Sequence, residues 1–283
     1  MPGRIIDTHV HVWNLEKAAY SWLENAPSIL NRTYHLEELD QERLQAGITE
    51  GILVQSANNL EDTDWMLSVA AQVGWIRGVV GWLPLQDPSG TARLLEKYSL
   101  APLFRGVRHL IHNEPDPAWL LQPGVLESLR ILASYGLPYE LVGTVPAHIQ
   151  TALTVAREVP DLHLVFDHLN QPPIATRERF GAWGTLMQEA AKHPHVYIKI
   201  SGLGTASLQG DRWTSDDVEP YIAFALEQFG TDRCLCGGDW PVSLLAGSYT
   251  RTWEVYCQVI NSLLPLEEAD KVFYKNALYF YGL

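Results

Sequence analysis

The stretch Arg4-Ile5-Ile6-Asp7-Thr8-His9-Val10-His11-Val12-Trp13 decides the fold of this chain. Its isoleucines and valines favour a pleated backbone, so we predict a buried strand that ends in polar residues. Because side chains alternate between the two faces of a strand, Asp7, His9 and His11 share one face. Histidines at this spacing have Cα atoms about 6 to 7 Å apart and can converge on one metal ion or one substrate oxygen. The alternative is that the two histidines are buried and simply hydrogen-bonded to protein groups at the strand end. The residues on later strands decide between the two interpretations.

Beyond this strand, strand-like and helix-like segments alternate without a break in composition. We predict seven more strands, at 51–56, 78–83, 104–111, 138–142, 163–168, 196–202 and 234–239. Helical patterns lie between and after them, at 35–46, 60–73, 91–98, 125–135, 147–158, 177–192, 216–229, 252–263 and 267–278. Eight strands that are each followed by a helix predict an α/β fold, a single-domain (β/α)8 TIM-type barrel over residues 1–283. A doubly wound open sheet is the alternative, but no Gly-x-Gly-x-x-Gly turn follows the first strand.

The composition is that of a soluble globular protein, with 47% hydrophobic and 19% charged residues. A formal net charge of −13, without a run of basic residues, argues against a nucleic-acid partner. No apolar run reaches the roughly 18 to 20 residues of a membrane span, and we expect no signal peptide before the first strand. Three cysteines cannot form a disulfide framework, so we expect a reducing, cytoplasmic environment.

Polar side chains gather at the ends of the predicted strands, where the active site of a (β/α)8 barrel lies. They are Asp7, His9 and His11 on the first strand, Arg108 and His109 on the fourth, Asp167 and His168 on the sixth, Lys199 and Ser201 on the seventh, and Asp239 on the eighth. On the seventh strand Ile198 and Ile200 suit the helix-facing side, which directs Lys199 towards the barrel axis. The same alternation directs Gln55 and Glu140 inwards.

Several motifs resemble the amidohydrolase superfamily, and more narrowly its amidohydrolase-2 branch, which includes sugar-lactone hydrolases and 2-pyrone-4,6-dicarboxylate lactonases. These motifs are Asp7-Thr8-His9-Val10-His11, Gly106-Val107-Arg108-His109, Asp167-His168, Lys199-Ile200-Ser201-Gly202-Leu203, Gly238-Asp239-Trp240-Pro241 and Asn276-Ala277-Leu278-Tyr279-Phe280-Tyr281-Gly282. Leu169-Asn170-Gln171-Pro172 departs from the Gly-Lys-Pro that commonly follows Asp-His in the family. Strand five lacks the metal ligand of binuclear members, so we expect no second metal ion. Glu140 is either a ligand there or is paired with Lys199 or an arginine.

Hydrolysis of an ester needs an activated water, a polarised carbonyl and a proton for the leaving oxygen. Asp239 suits the catalytic base, but a carboxyl group with a pKa of about 4 is a weak base unless the water is also acidified. His9, His11 and His168 can assist in two ways. Together with Asp239 they can hold one divalent metal ion, Zn²⁺ or Mn²⁺, with a position left for water. Alternatively they can donate hydrogen bonds to the carbonyl oxygen without a metal, as the resemblance allows; we favour one metal ion.

The predicted substrate is a small sugar-acid lactone, of the fucono-, rhamnono- or galactono-lactone kind that the resemblance implies. A pyrone dicarboxylate would need several converging arginines, whereas Arg105 and Arg108 stand at a spacing that turns one of them away. A neutral lactone needs hydrogen-bonding groups and stacking aromatic rings instead. The candidate substrate-binding residues are Gln55, Trp82, Arg108, His109, His112, Asn113, Trp119, Lys199 and Trp240.

Other functions stay open at this point. The same branch contains zinc-dependent decarboxylases of aromatic or unsaturated acids, which use a similar set of histidines and aspartate. A barrel that binds a sugar acid without turning it over is the non-enzyme alternative, since a fold alone does not determine chemistry. The aromatic segment from Asn14 to Tyr34 suits either a lid or the contact of a homodimer.

Overall fold

The computed structural model describes residues 3–24 and 28–283, and it contains a barrel of eight parallel strands. The strands are β1 (Ile6–Val10), β2 (Glu50–Val54), β3 (Ile76–Gly81), β4 (Phe104–His109), β5 (Tyr139–Leu141), β6 (Leu164–Phe166), β7 (Val196–Ile200) and β8 (Cys234–Cys236). Each strand pairs with the next one in chain order. The ring closes because the His11 N–H donates to the Trp240 carbonyl and the Asp239 N–H donates to the His9 carbonyl, both at 2.7 Å. The predicted (β/α)8 barrel is confirmed.

Helices connect the strands and surround the barrel. They are α1 (Asp40–Gln45), α2 (Leu60–Ala70), α3 (Pro88–Tyr98), α4 (Pro123–Ser134), α5 (Pro146–Glu158), α6 (Gly181–Ala191), α7 (Leu203–Ala206), α8 (Ser215–Phe229), α9 (Tyr249–Leu263), α10 (Leu266–Asp270) and α11 (Asn276–Tyr281). A π-helical turn at Lys271–Lys275 joins α10 to α11, so the predicted helix at 267–278 is three short segments. Across the described ranges no helix is both long and apolar enough to cross a membrane.

Three predicted elements are shorter than expected because the backbone turns left-handed. The predicted strands at 163–168 and 234–239 end early, since His168 and Asp239 have φ values of 53° and 57°. The predicted helix at 177–192 begins only at Gly181, since Arg177 and Phe180 have φ values of 58° and 136°. Such values do not fit a strand or a right-handed helix. His168 and Asp239 therefore lie on turns at the barrel mouth and not within the strands.

A β-bulge in β1 changes which residues face the barrel interior. The pairing of β1 with β2 shifts its register between Asp7 and Val10. Asp7 points outwards, where its carboxylate accepts a hydrogen bond from the Tyr249 hydroxyl of α9 at 2.6 Å. His9 and His11 point inwards. The prediction that Asp7 shares their face is wrong, because the bulge breaks the period-two alternation on which it depends.

The barrel core consists of two apolar layers. The inner layer contains Ile6, Ile52, Val54, Val80, Val165, Tyr197 and Leu235, together with Ala277, Phe280 and Tyr281 of α11. The outer layer lies between the strands and the surrounding helices. The Arg4 guanidinium, just before β1, lies 4.4 Å from the centroid of the Tyr274 ring, just before α11. Helix α11 therefore closes the amino-terminal end of the barrel, and the carboxyl-terminal end is left for a site.

Candidate active site

A cavity of about 220 Å³ opens at the carboxyl-terminal ends of the strands. Its floor includes His11, Arg108, His168 and Asp239, which lie at the ends of β1, β4, β6 and β8 or just after them. All four side chains are buried. These residues are distant in sequence, and the barrel brings them together because its strand ends meet at one mouth.

Three imidazoles surround the carboxylate of Asp239. Its Oδ1 lies 3.3 Å from His11 Nε2, 3.7 Å from His9 Nε2 and 3.9 Å from His168 Nε2. Ligand atoms bound tetrahedrally at about 2.0 to 2.2 Å from a metal ion lie about 3.3 to 3.6 Å apart. Ligand atoms of His9, His168 and Asp239 all lie within 4.8 Å of one another. His9, His168 and Asp239 therefore fit one divalent ion such as Zn²⁺, and His11 is the imidazole nearest to the Asp239 carboxylate.

Hydrogen bonds at Nδ1 hold two of these rings in place. His11 Nδ1 donates to the Val54 carbonyl at 2.7 Å, because a carbonyl oxygen only accepts. His168 Nδ1 lies 2.9 Å from the Ser201 hydroxyl oxygen. With Nδ1 engaged, each ring turns its Nε2 towards Asp239, as the histidine ligands of metal sites commonly do.

His9 lies deeper in the barrel, between a carboxylate and two cations. Its Nδ1 lies 3.4 Å from Asp167 Oδ1 and 3.2 Å from Lys199 Nζ. Its Nε2 lies 3.1 Å from Arg108 Nη1, which also donates to Asp167 Oδ2 at 2.8 Å. A metal ion and the guanidinium would therefore compete for the Nε2 lone pair of His9.

Burial sets the charge state of the inner groups. It lowers the pKa of His9 well below its ordinary value and also lowers the pKa of His168, so both rings are neutral. Burial acts on Asp167 in the opposite direction, but Lys199, His9 and Arg108 outweigh it and hold the pKa of Asp167 well below its usual range. The site thus combines neutral nitrogen donors with an ionised Asp167.

Comparison with known proteins agrees with this geometry. Residues 6–283 match the family model described as Amidohydrolase. The chain belongs to this family. The match confirms the family that the motifs predict, together with the predicted hydrolase class.

Two relatives and a solved structure are similar to this amidohydrolase along nearly its whole length. A protein of Burkholderia ambifaria named L-fucono-1,5-lactonase is 33% identical, over 98% of this chain and 95% of that protein. A second L-fucono-1,5-lactonase, of Burkholderia multivorans, is 28% identical over 98% of this chain and 96% of that protein. The crystal structure of a Burkholderia multivorans amidohydrolase with bound zinc is 26% identical and has a TM-score of 0.90, covering 99% of this chain and 100% of that one.

Beneath His9 the amidohydrolase buries a further group of charges. Lys199 Nζ donates to Glu140 Oε2 at 2.5 Å, and the Tyr281 hydroxyl of α11 donates to Glu140 Oε1 at 2.5 Å. Of the two roles that the sequence leaves open for Glu140, the structure shows the pairing with Lys199. Lys199 is 0% exposed and does not line the cavity, although the sequence predicts that it binds substrate.

Two other predicted substrate-binding residues lie behind the cavity wall. Trp240 is buried in the core against Tyr34, with 5.4 Å between ring centroids, because the turn at Asp239 directs the next side chain away from the barrel mouth. Gln55 is fully buried, and its Nε2 donates to the Arg108 carbonyl at 3.0 Å. Arg108 itself does line the cavity, as predicted.

Strand alternation turns His109 away from the cavity, since it follows the inward-facing Arg108 in β4. His109 Nδ1 accepts a hydrogen bond from Trp82 Nε1 at 2.9 Å, and its ring stacks on Trp119 at 3.9 Å. His109, Trp82 and Trp119 therefore support the wall from behind. His112, in the turn after β4, does line the cavity.

Much of the cavity wall comes from residues that the sequence did not predict to bind substrate. Ser56, Thr144, Gln171 and Thr205 line it and follow β2, β5, β6 and β7. Trp22, from the aromatic segment after β1, covers one side. A position shortly after a barrel strand is the signal by which sequence analysis could have found these residues.

Proposed function

We propose that this amidohydrolase hydrolyses a sugar-acid lactone, such as a fucono-, rhamnono- or galactono-lactone. One observation carries the proposal: the Asp239 carboxylate lies among three imidazoles on the floor of a cavity. Relatives named L-fucono-1,5-lactonase support the same class of substrate.

Asp239 is the base of the proposed reaction. Its carboxylate takes a proton from a water molecule, and the water oxygen attacks the carbonyl carbon of the lactone. The bond between that carbon and the ring oxygen then breaks, and Asp239 returns the proton to the ring oxygen. The product is the open-chain hydroxy acid, and Asp239 is again ionised.

One divalent ion held by His9, His11, His168 and Asp239 would supply a Lewis acid that lowers the pKa of the water. Arg108 contributes a positive charge of its own at the cavity floor. Its Nη2 donates to the Gln55 carbonyl at 2.7 Å, which fixes the guanidinium in place. A fixed positive charge stabilises the negative charge that develops on the lactone carbonyl oxygen.

The cavity wall favours a neutral, hydroxylated ligand over a dicarboxylate. Among the described residues that line it, Arg108 is the one arginine, and both of its Nη atoms already bind protein oxygens. Recognition of two substrate carboxylates would require more arginines with free N–H groups. The Thr144 hydroxyl and the Gln171 amide can donate and accept hydrogen bonds, and Trp22 provides an apolar surface.

A panel of aldonolactones, with 2-pyrone-4,6-dicarboxylate as the competitor, tests the proposed substrate by proton release. We expect turnover of at least one aldonolactone, and we expect Asp239→Asn to lower kcat by at least about 100-fold, as for the loss of a general base. Faster turnover of the pyrone than of every aldonolactone would overturn the substrate class. Release of carbon dioxide from a benzoate-type acid, without activity on lactones, would favour a decarboxylase.

Removal of metal tests the proposed ion separately. We expect activity to fall when the wild-type protein is depleted with a chelator, and to return when Zn²⁺ or Mn²⁺ is added back. Elemental analysis beside the assay gives the number of ions per chain. Activity that survives depletion but still requires Asp239 would mean that the histidines and Arg108 polarise the carbonyl without a metal.

A further inference from the structure

A second set of metal-type ligands lies directly beneath the candidate active site. Ligand atoms of His9, Glu140 and Asp167 lie within 4.8 Å of one another, and all three side chains are 0% exposed. Two carboxylates and one imidazole nitrogen directed at one point form a donor set that suits a divalent cation. This point lies below the cavity floor, and His9 belongs to both ligand sets: it offers Nδ1 to this one and Nε2 to the one around Asp239.

The ammonium group of Lys199 lies at the centre of this set. Its Nζ is 2.5 Å from Glu140 Oε2, 3.2 Å from Asp167 Oδ1 and 3.2 Å from His9 Nδ1. A fully buried ammonium needs such partners, because an unpaired charge inside a protein is strongly destabilising. Lys199 thus occupies the position that the three ligands would offer to an ion.

The charges around Lys199 are balanced. Glu140 and Asp167 are buried carboxylates, whereas Lys199 and Arg108 are buried cations. Arg108 pairs with the second oxygen of Asp167 at 2.8 Å, and Tyr281 gives Glu140 a neutral hydrogen bond. Loss of the Lys199 ammonium would therefore leave one buried negative charge without a partner. A divalent cation bound by Glu140 and Asp167 would neutralise that charge and add one positive charge.

We propose that Lys199 is a built-in cation that takes the place of a second metal ion and limits this amidohydrolase to the metal position around Asp239. Its ammonium fills the space between His9, Glu140 and Asp167 and pairs with Asp167 Oδ1, which lies 3.4 Å from His9 Nδ1. With the Nδ1 side of the ring facing this carboxylate, His9 Nε2 faces Asp239. Lys199 is a positioning residue, because it acts through His9 and does not reach the cavity. The proposal holds whichever lactone is hydrolysed.

Replacement of Lys199 by methionine tests this role directly. A methionine side chain ends one atom short of Nζ, so Lys199→Met keeps most of the apolar stem and vacates the ammonium position. We expect Lys199→Met to bind one Zn²⁺ ion per chain more than the wild type at the same free Zn²⁺ concentration. Native mass spectrometry and elemental analysis count the ions. Added Zn²⁺ should also raise the Tm of Lys199→Met by more than it raises that of the wild type.

Two double variants locate the extra ion. Lys199→Met combined with Glu140→Gln removes the carboxylate along with the ammonium, and we expect its ion count to return to that of the wild type. Lys199→Met combined with Asp239→Asn removes a donor of the upper site, and we expect it to keep the extra ion. If the site around Asp239 binds no metal, we expect no ion in the wild type and one in Lys199→Met. The difference of one ion per chain between the two proteins is then the same.

Equal Zn²⁺ counts in Lys199→Met and the wild type would overturn the proposal. An extra ion that persists after Glu140→Gln is added would also overturn it, because that ion would lie elsewhere. Should Lys199→Met fold only when Zn²⁺ is present, the ion has taken over the role of the ammonium, as proposed. Failure to fold even with Zn²⁺ would show that an ion cannot replace the ammonium, and the proposal would be wrong.

Discussion

Asp239 reaches the centre of the site because the two residues before it have no side chains. A Cβ atom at Gly237 would lie 2.6 Å from His9 Cβ, and one at Gly238 would lie 2.6 Å from Asp7 Oδ2, which is closer than real Cβ contacts. Glycines at these positions let the chain after β8 pass directly against β1. Asp239, with a φ of 57°, then turns its carboxylate between the imidazoles.

At the same scale, a substitution of Ser201 tests whether the orientation of His168 affects activity and Zn²⁺ binding. The Ser201 hydroxyl oxygen lies 2.9 Å from His168 Nδ1. We expect Ser201→Ala to lower kcat/KM and the affinity for Zn²⁺ by about 10- to 100-fold, the usual effect of losing a partner behind a metal ligand. Steady-state kinetics and a Zn²⁺ titration measure both quantities.

Ser243→Ala is the matched control for this variant. Ser243 is also buried, but its Oγ has no hydrogen-bond partner in the described part of the chain. We therefore expect Ser243→Ala to retain wild-type activity and Zn²⁺ affinity. Equal losses in the two variants would contradict a specific role for the Ser201 hydroxyl.

At the scale of elements, the segment between β1 and α1 forms a cavity wall that is tied to the start of α2. The Tyr20 hydroxyl donates to Asp62 Oδ1 at 2.8 Å, and Asp62 Oδ2 accepts from the Ser56 N–H at 2.8 Å. Trp22 Nε1 donates to the Ser56 carbonyl at 2.8 Å. Trp22 and Ser56 both line the cavity, so these hydrogen bonds set the shape of the substrate space.

Replacement of Trp22 by phenylalanine tests this wall. We expect Trp22→Phe to raise KM about 2- to 10-fold with little change in kcat, because one lost hydrogen bond costs about 0.5 to 1.5 kcal/mol and the catalytic groups are untouched. Trp65→Phe is the control, since Trp65 Nε1 makes no hydrogen bond to any described residue. A fall in kcat at constant KM would mean that the wall takes part in the chemistry.

At the scale of the whole molecule, helix α11 contributes both to the packing of the barrel and to the support of the candidate site. Helix α11 places Phe280 and Tyr281 in the inner apolar layer. Tyr281 donates to Glu140, and Glu140 pairs with Lys199 beneath His9. The same helix therefore closes the barrel and supports the deepest residue of the candidate site.

The Tyr281 hydroxyl should contribute measurably to global stability. We expect Tyr281→Phe to lower the free energy of unfolding by about 1 to 3 kcal/mol, because it leaves a buried carboxylate oxygen without its donor. Urea denaturation measures the change. Tyr279→Phe, on the same helix but 70% exposed, should stay within about 0.5 kcal/mol of the wild type. Equal destabilisation would point to helix packing and not to the hydrogen bond with Glu140.

The sequence by itself determined the barrel and the residues that meet around Asp239. Alternating strand and helix patterns are local properties of the chain, so eight repeats of the pattern could be counted directly. His9, His11, His168 and Asp239 could be placed together because the carboxyl ends of barrel strands meet at one mouth. Local backbone patterns and one general rule of topology were sufficient for this part.

Only the tertiary structure decided which other side chains reach the cavity. The bulge in β1 turns Asp7 outwards, and the turn at Asp239 sends Trp240 into the core. The segments after β2 and β7 bring Ser56 and Thr205 to the wall. Alternation is a property of a single regular strand, whereas bulges, left-handed turns and loop positions depend on contacts between distant parts of the chain.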